Sequence, residues 1–280
     1  MLAIFGLLGI AVTAAFVLGG DDDDVADPDP TPEDDDPSLE IQSIDDIVDP
    51  IDDDTMMVAG DGDDTVHTGA GDDYIDGQDG NDRIDSGAGN DTVQGGRGDD
   101  VITGGDGDDT LNGHVGDDII DGEAGDDALN GCGGDDVLMG GAGNDALLGS
   151  LDNDILVGGT GADTLHGGSG DDILYDRGDT DKDYLNGGAG NDTLMGGAGA
   201  NLHGGTGQDS FNLTTGNDVI IEDFSPGEDS IEISYSGEAP PLSTSQSDAG
   251  LVLLADDTVV ATFSNLTTLD LDAVSLVSAQ

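Results

Sequence analysis

The chain has 280 residues, with 64 acidic and 4 basic side chains, a formal charge of −60, 49 glycines, 3% aromatics and no tryptophan. No basic patch exists to neutralise phosphates, which argues against nucleic acid as a partner, and the four cations Arg83, Arg97, Arg177 and Lys182 are scattered. A single cysteine, Cys132, excludes an internal disulfide and suits an extracellular protein stabilised by other means.

Residues 1–18 are continuously apolar apart from Thr13 and carry no charge. At 1.5 Å per residue they span about 27 Å as a helix, close to the thickness of a bilayer's hydrocarbon core. The basic residues that precede the core of a cleaved signal peptide are missing, and the small-x-small site after it is poor. Residues 1–20 are therefore read as an uncleaved membrane helix, with a signal peptide as the alternative. Its orientation is open, because the positive-inside rule needs positive charges. Residues 21–54, which include the run DPDPTPEDDDP, read as an acidic linker that repels itself into an extended tether.

From residue 55 to 222 the chain repeats. Thirteen aspartates recur every nine residues: Asp64, Asp73, Asp82, Asp91, Asp100, Asp109, Asp118, Asp127, Asp136, Asp145, Asp154, Asp163 and Asp172. Each is followed two residues later by an aliphatic, from Val66, Ile75 and Ile84 to Leu165 and Leu174, in the pattern G-x-G-[DN]-D-x-U-x-G. A fixed short period means that no unit buries its own apolar side and each must stack on its neighbours. The glycines allow tight turns. The x-U-x triplet makes a three-residue strand with U on one face.

Two turns and two strands complete one coil of a flattened helix, so coil partners lie eighteen residues apart. Beyond Asp172 the phase slips. Asp183 follows after eleven residues, Asp192 after nine, Asn201 replaces the next aspartate, and Asp209 and Asp218 close a looser end.

Stacking at about 4.8 Å places Asp64, Asp82, Asp100, Asp118, Asp136, Asp154 and Asp172 along one edge and Asp73, Asp91, Asp109, Asp127, Asp145 and Asp163 along the other. Carboxylates that close repel strongly, and a hard cation taking six to eight oxygens relieves the repulsion. One calcium between successive coils gives about eleven sites over the regular part, or more if Asp183, Asp192 and Asp209 contribute. Magnesium fits less well because it demands a small octahedron and keeps its waters. Zinc fits worse still: His67, His114, His166 and His203 lack a compact ligand spacing. A chain so acidic and so poor in core residues is expected to be disordered without calcium and to fold cooperatively with it.

The repeat resembles the calcium-binding nonapeptide of the haemolysin-type, repeats-in-toxin family, over about 160 of the 280 residues. That resemblance implies an all-β parallel β-roll. It also implies calcium sites weak enough, about 10⁻⁴–10⁻³ M, to stay empty during synthesis and fill after export to the cell surface or medium.

Residues 223–280 are β-prone and read as a small cap. The stretch GNDVIIEDFSPGEDSIEI resembles the segment that follows the last repeats in many family members. In secreted members such a C-terminal segment is an uncleaved address for a type I exporter, although an apolar N-terminus departs from that pattern.

The x position before U faces outward, and on one face it reads Val101, Ile119, Val137, Ile155 and Ile173. These five would form an apolar strip about 19 Å long, expected to be covered by the C-terminal segment, the end of the linker or a second molecule. The opposite face, Tyr74, Thr92, Thr110, Ala128, Ala146 and Thr164, is flat and small.

No G-x-S-x-G, H-E-x-x-H or Walker loop appears, and the carboxylates lie in repetitive turns rather than a cleft. No enzyme activity is expected. The expectation is a calcium-loaded β-roll acting as a structural or adhesive surface module. The rivals are an accessory module that helps a separate enzyme fold or leave the cell, and an ice- or surface-binding protein.

Overall fold

The computed structural model describes residues 47–51, as backbone, and 54–279. Apart from one 3-10 turn at Leu271–Ala273, every regular element among the described residues is a β-strand. As far as Ser230–Tyr235, successive strands alternate between two sheets, one of twelve strands and one of thirteen. In the first sheet Val66 pairs with Ile84, Ile84 with Ile102 and Ile102 with Ile120. In the second, Ile75 pairs with Val93, Val93 with Leu111 and Leu111 with Leu129. All these pairings are parallel and eighteen residues apart, so two nonapeptides make one coil and the expected parallel β-roll is the fold observed.

The strands are longer than the expected triplet. Tyr74–Asp79 and Val101–Asp106 are typical six-residue examples, because the residues after U stay extended and keep pairing, as Gly87 does with Gly105. Along each strand the U residue and the residue two beyond it face inward, as strand alternation requires. The U residues from Val66 to Leu174 are buried in two facing ladders. The second inward position is small, occupied by Thr68, Ser86, Gly104, Gly122, Gly140 and Gly158 in the first sheet.

Where turns stack there is no room for a side chain. At Gly80, with φ +148°, a Cβ would lie 1.9 Å from the carbonyl oxygen of Gly62.

At the phase slip Leu165 pairs with Leu185 and Leu174 with Leu194, each twenty residues apart. The core ladder is thus preserved, and the two extra residues are taken up outside the strands, between Asp176 and Tyr184. The following coil is one residue short, with Tyr184 opposite Asn201 and Leu185 opposite Leu202. Asn201 is therefore not in the aspartate position, as the sequence suggested. Ala200, fully buried, holds it. In the coil after that the position falls to Val219, and Asp218 stays on the surface.

The C-terminal region extends both sheets. Ser230–Tyr235 and Val274–Ser278 continue the first sheet in parallel. The second ends in an antiparallel meander of Thr258–Phe263, Gly250–Ala255 and Leu242–Ser247. Phe224 packs between Phe211 and Phe263, with ring centroids 6.0 and 5.5 Å apart. Ile231, Ile233, Leu253 and Val260 complete this apolar plug.

At the other end, within the segment read as a tether, Ile47–Ile51 pairs in parallel with Thr65–Gly69. Its Pro50 is tolerable because the strand is at the sheet's edge.

Of the three covers expected for the apolar strip, the C-terminal segment is ruled out. Ile119, Ile155 and Ile173 are 43%, 40% and 39% exposed. The C-terminal segment does not lie across them, because its strands find better partners in the open ends of the sheets. The strand Ile47–Ile51 likewise adds to the sheet edge. The membrane-helix expectation for residues 1–20 lies outside the described residues. Among those described, no helix is long and apolar enough to cross a membrane.

Candidate metal centre

Each of the thirteen periodic aspartates sits at the turn just before a strand and points into the roll, 1–4% exposed. From Asp82 onward its Oδ1 accepts a hydrogen bond from the backbone N–H of the aspartate one coil earlier, and Asp73 accepts from the N–H of Thr55. Asp64 N–H donates to Asp82, Asp82 to Asp100, Asp100 to Asp118, Asp118 to Asp136 and Asp136 to Asp154, all at 2.8–2.9 Å. The second edge repeats this ladder from Asp73 to Asp163 at the same distances.

The first row runs on from Asp172 to Asp192, Asp209 and then Asp229, a residue that the sequence pattern did not single out. The second runs from Asp163 to Asp183 and ends there, since Ala200 is next.

Apart from Ala162, the residue before each periodic aspartate belongs to a second ladder on the exposed rim, whose side-chain oxygens accept from the N–H one coil later: Asn81 N–H donates to Asp63, and Asp99 N–H to Asn81. Asn90, Asn144 and Asn153 perform this task as well as Asp108 or Asp126. A turn-forming acceptor needs no charge, and this rim position is filled by Asp or Asn in every unit but one, where it is Ala162. The inner position is aspartate in all thirteen units.

The inner carboxylates have an oxygen to spare. From Asp82 through Asp172, and again in Asp192, Oδ2 is buried and meets no hydrogen-bond donor. An orphaned buried carboxylate oxygen is costly unless something positive satisfies it.

The space beside it is kept clear by glycine. A methyl group on Gly95 would fall 2.4 Å from Asp100 Oδ2 and 2.9 Å from the Gly113 carbonyl oxygen. On Gly122 it would fall 2.4 Å from Asp127 Oδ2 and 2.7 Å from the Gly140 oxygen, and Gly140, Gly149 and Gly167 repeat the arrangement. Each edge thus holds a row of small, oxygen-lined cradles without protein cations. This donor set suits a hard cation such as calcium.

Burial is the main force on these carboxyls. It pushes Asp82, Asp100, Asp136 and Asp145 up to about 6 and Asp109, Asp118, Asp154 and Asp192 up to about 7. The N–H donated by the previous coil opposes this, and neighbouring aspartates mostly add to it.

Besides Asp229, a second carboxylate escaped the sequence pattern. Asp176 lies in the irregular stretch after Asp172, yet it is 1% exposed and neither of its oxygens has a donor in hydrogen-bond geometry. It comes together with Asp163 and Asp183, with one carboxylate oxygen from each lying within 4.8 Å of the others. Burial first, and then Asp183 and Asp163, push its carboxyl up to about 8, while the Gly159 backbone opposes only slightly. Counting eighteen residues on from Gly158 would have found it.

The histidines stay out of these rows. His67 Nδ1 lies 3.1 Å from Asp85 and His203 Nδ1 3.4 Å from Asp223, and His114 contacts Gln94. Cys132 is a half-buried free thiol with φ 79°.

A family model described as the RTX calcium-binding nonapeptide repeat, in four copies, matches residues 58–93, 87–120, 113–147, 148–175, 177–202 and 203–221. No curated protein matches the chain. With more than half of its length covered by that model, and an eighteen-residue coil that stacks buried aspartates in two rows, the chain belongs to the RTX calcium-binding nonapeptide repeat family.

Proposed function

We propose that calcium ions sit between successive coils along both edges. Their ligands are Asp64, Asp82, Asp100, Asp118, Asp136, Asp154 and Asp172, continued by Asp192 and Asp209, on one edge. On the other they are Asp73, Asp91, Asp109, Asp127, Asp145, Asp163 and Asp183. The observation that carries this reading is the unbroken series of buried Oδ2 atoms from Asp82 to Asp172 that have no donor. A bound divalent cation would supply the positive charge that those oxygens lack, and glycine carbonyls such as those of Gly113 and Gly140 would add neutral oxygens.

The ion's role is structural. It would offset the repulsion between stacked carboxylates and couple metal binding to folding. Sites in the weak extracellular range would then keep the roll unfolded in a calcium-poor cytoplasm and fold it outside. We read the folded roll as a structural or adhesive module at the cell surface or in the medium, without catalytic activity. Its outward strip of Val101, Ile119, Val137, Ile155 and Ile173, of which the three isoleucines are exposed and the valines half-buried, is the surface best suited to a protein partner.

Equilibrium dialysis of the full chain against calcium tests the core of this reading. About eleven or more ions should bind at saturation, with magnesium unable to replace them. Binding of one or two ions, or none, would contradict it.

A further inference from the structure

In regular cradles such as those at Gly95, Gly122, Gly140, Gly149 and Gly167, the void beside an aspartate Oδ2 is bounded on its far side by a glycine carbonyl oxygen of the next coil. A methyl on Gly140 would meet Asp145 Oδ2 at 2.4 Å and the Gly158 oxygen at 2.7 Å. One coil on, the same construction gives a different result. A methyl on Gly158 would meet Asp163 Oδ2 at 2.6 Å and Asp176 Oδ2, also at 2.6 Å. Asp176 holds the inward position that Gly104, Gly122, Gly140 and Gly158 hold in earlier coils, and it pairs with Gly196 in the next. A second carboxylate stands beside the void.

Three further observations concern the same point. The coil is two residues longer here, and the ladder bond from Asp163 N–H to Asp183 Oδ1 is stretched to 3.4 Å, against 2.8–2.9 Å along the regular rows. Both oxygens of Asp176 and the Oδ2 of Asp163 are buried without a donor. No protein cation answers them. Arg177, adjacent in sequence, donates instead to the Asn212 carbonyl, and among the described residues neither it nor Lys182 makes an ion pair. Asp179, half-buried nearby, spends its oxygens on the N–H groups of Gly161 and Asp181, and its charge adds to the negative field.

From this juxtaposition we infer that Asp163, Asp176 and Asp183 form a calcium site of a different kind from the regular cradles, with three converging carboxylates, which binds more tightly and fills first. This rests on the calcium reading above and goes beyond it by ranking one site over the rest. Calcium affinity is set largely by the number of charged ligands and the rigidity of the site. A third carboxylate beside the void raises the charge, and the strand Ile173–Asp176, with Leu174 and Asp176 turned inward and buried, fixes it in position. Such a site would hold its ion while the regular rows are still empty and would anchor the coils on either side, so that the roll grows outward from the irregular coil.

The test is calcium binding by the chelator-stripped full chain, followed by equilibrium dialysis with radioactive calcium over a wide range of free calcium. Three variants are compared: Asp176→Gly, which gives this coil the residue of its neighbours, Asp176→Asn, nearly isosteric, and Asp127→Asn in a regular row. The parent chain should bind one ion at free calcium about tenfold or more below the midpoint of the remainder. Both Asp176 variants should lose that first step and keep the later ones, and Asp127→Asn should keep the first step. If Asp176→Gly fails to form the roll at saturating calcium, Asp176→Asn decides alone.

A parent isotherm with no early step, an early step that survives in the Asp176 variants, or its loss in Asp127→Asn as well would overturn the inference and leave the rows standing. No calcium binding at all by the parent chain would remove both.

Discussion

The coils from Val66 to Leu202 and the segment from Phe211 to Phe263 share the same two sheets, but their interiors are built from different material. In the repeats each nonapeptide buries one aliphatic side chain, and next to it, from Asp82 to Asp172, an aspartate whose second oxygen has no donor. In the C-terminal segment three phenylalanines pack together with Leu213, Ile221, Ile231, Ile233, Leu253 and Val260, and the inward aspartate position of one sheet passes to Ala200 and Val219. The difference shows what each region needs. The plug is held by apolar burial, at about 25 cal/mol per Å², and asks nothing of the solvent. The repeats bury charge, which is tenable only if the charge is compensated.

Removing calcium should break this contrast most sharply. In chelator, amide hydrogen exchange should rise across the repeat strands from Tyr74–Asp79 to Thr164–Ser169 by far more than in Gly250–Ala255 and Thr258–Phe263. Equal loss of protection in both regions would show that the plug depends on the metal as much as the roll does.

A pair of substitutions at Asp118 sharpens the comparison inside a single coil. Asp118→Ala leaves the Asp100 N–H without its acceptor, a loss of about 1–3 kcal/mol in addition to lost calcium affinity. Asp118→Asn keeps an acceptor and removes only the charge. Thermal unfolding in saturating calcium should therefore place both variants below the parent chain, with Asp118→Ala lower still because it also lacks the acceptor. Asparagine behaving like the parent chain in calcium would mean that the inner row, like the rim row, is only a turn ladder.

Acid supplies a third, smaller effect, opposite in sign with and without metal. The inner carboxyls are raised in the folded chain from 3.8 to about 6 in Asp100 and about 7 in Asp118. Without calcium, the folded state then binds more protons than the unfolded one between those values. Its stability is greatest below about pH 4 and declines as the pH rises to about 7. With calcium present, protons compete for the same oxygens, so acidification should release the metal. Protease resistance of the chelated chain that falls on acidification would contradict the sign.

The smallest effect is expected on the surface. Replacing Ile119 and Ile155 together by aspartate should shift stability by only about 0.5 kcal/mol per site, because both already face solvent. A change in the size of the particle in solution, with the calcium-bound fold intact, would reveal the strip as a contact surface.

Much of this was legible in the sequence because the period is strict. A nine-residue repeat with alternating inward positions leaves only one way to stack Val66, Ile84 and Ile102, and the same arithmetic put Asp64, Asp82 and Asp100 in one row. Legibility failed where the count changes. A twenty-residue coil followed by a seventeen-residue coil moves the frame, so Asn201 looked like the heir of Asp183 when the backbone hands that place to Ala200. Asp176 was hidden because in the run YDRGDTDKD it resembles loop, although it stands eighteen residues after Gly158 and the pairing of Val157 with Tyr175 shows that it continues the inward glycine ladder. Strand length was also underestimated, because glycines after U were taken as turn residues although they go on pairing across the sheet.

The most direct test of the central claim is a calcium titration of the chelator-stripped full chain followed by circular dichroism, with magnesium as the control. The account predicts a cooperative transition from coil to β-structure in the high micromolar to millimolar range, about 10⁻⁴–10⁻³ M, that magnesium does not produce. A chain already fully β-structured in chelator, and unchanged by calcium, would contradict it and reduce the aspartate rows to turn-forming ladders.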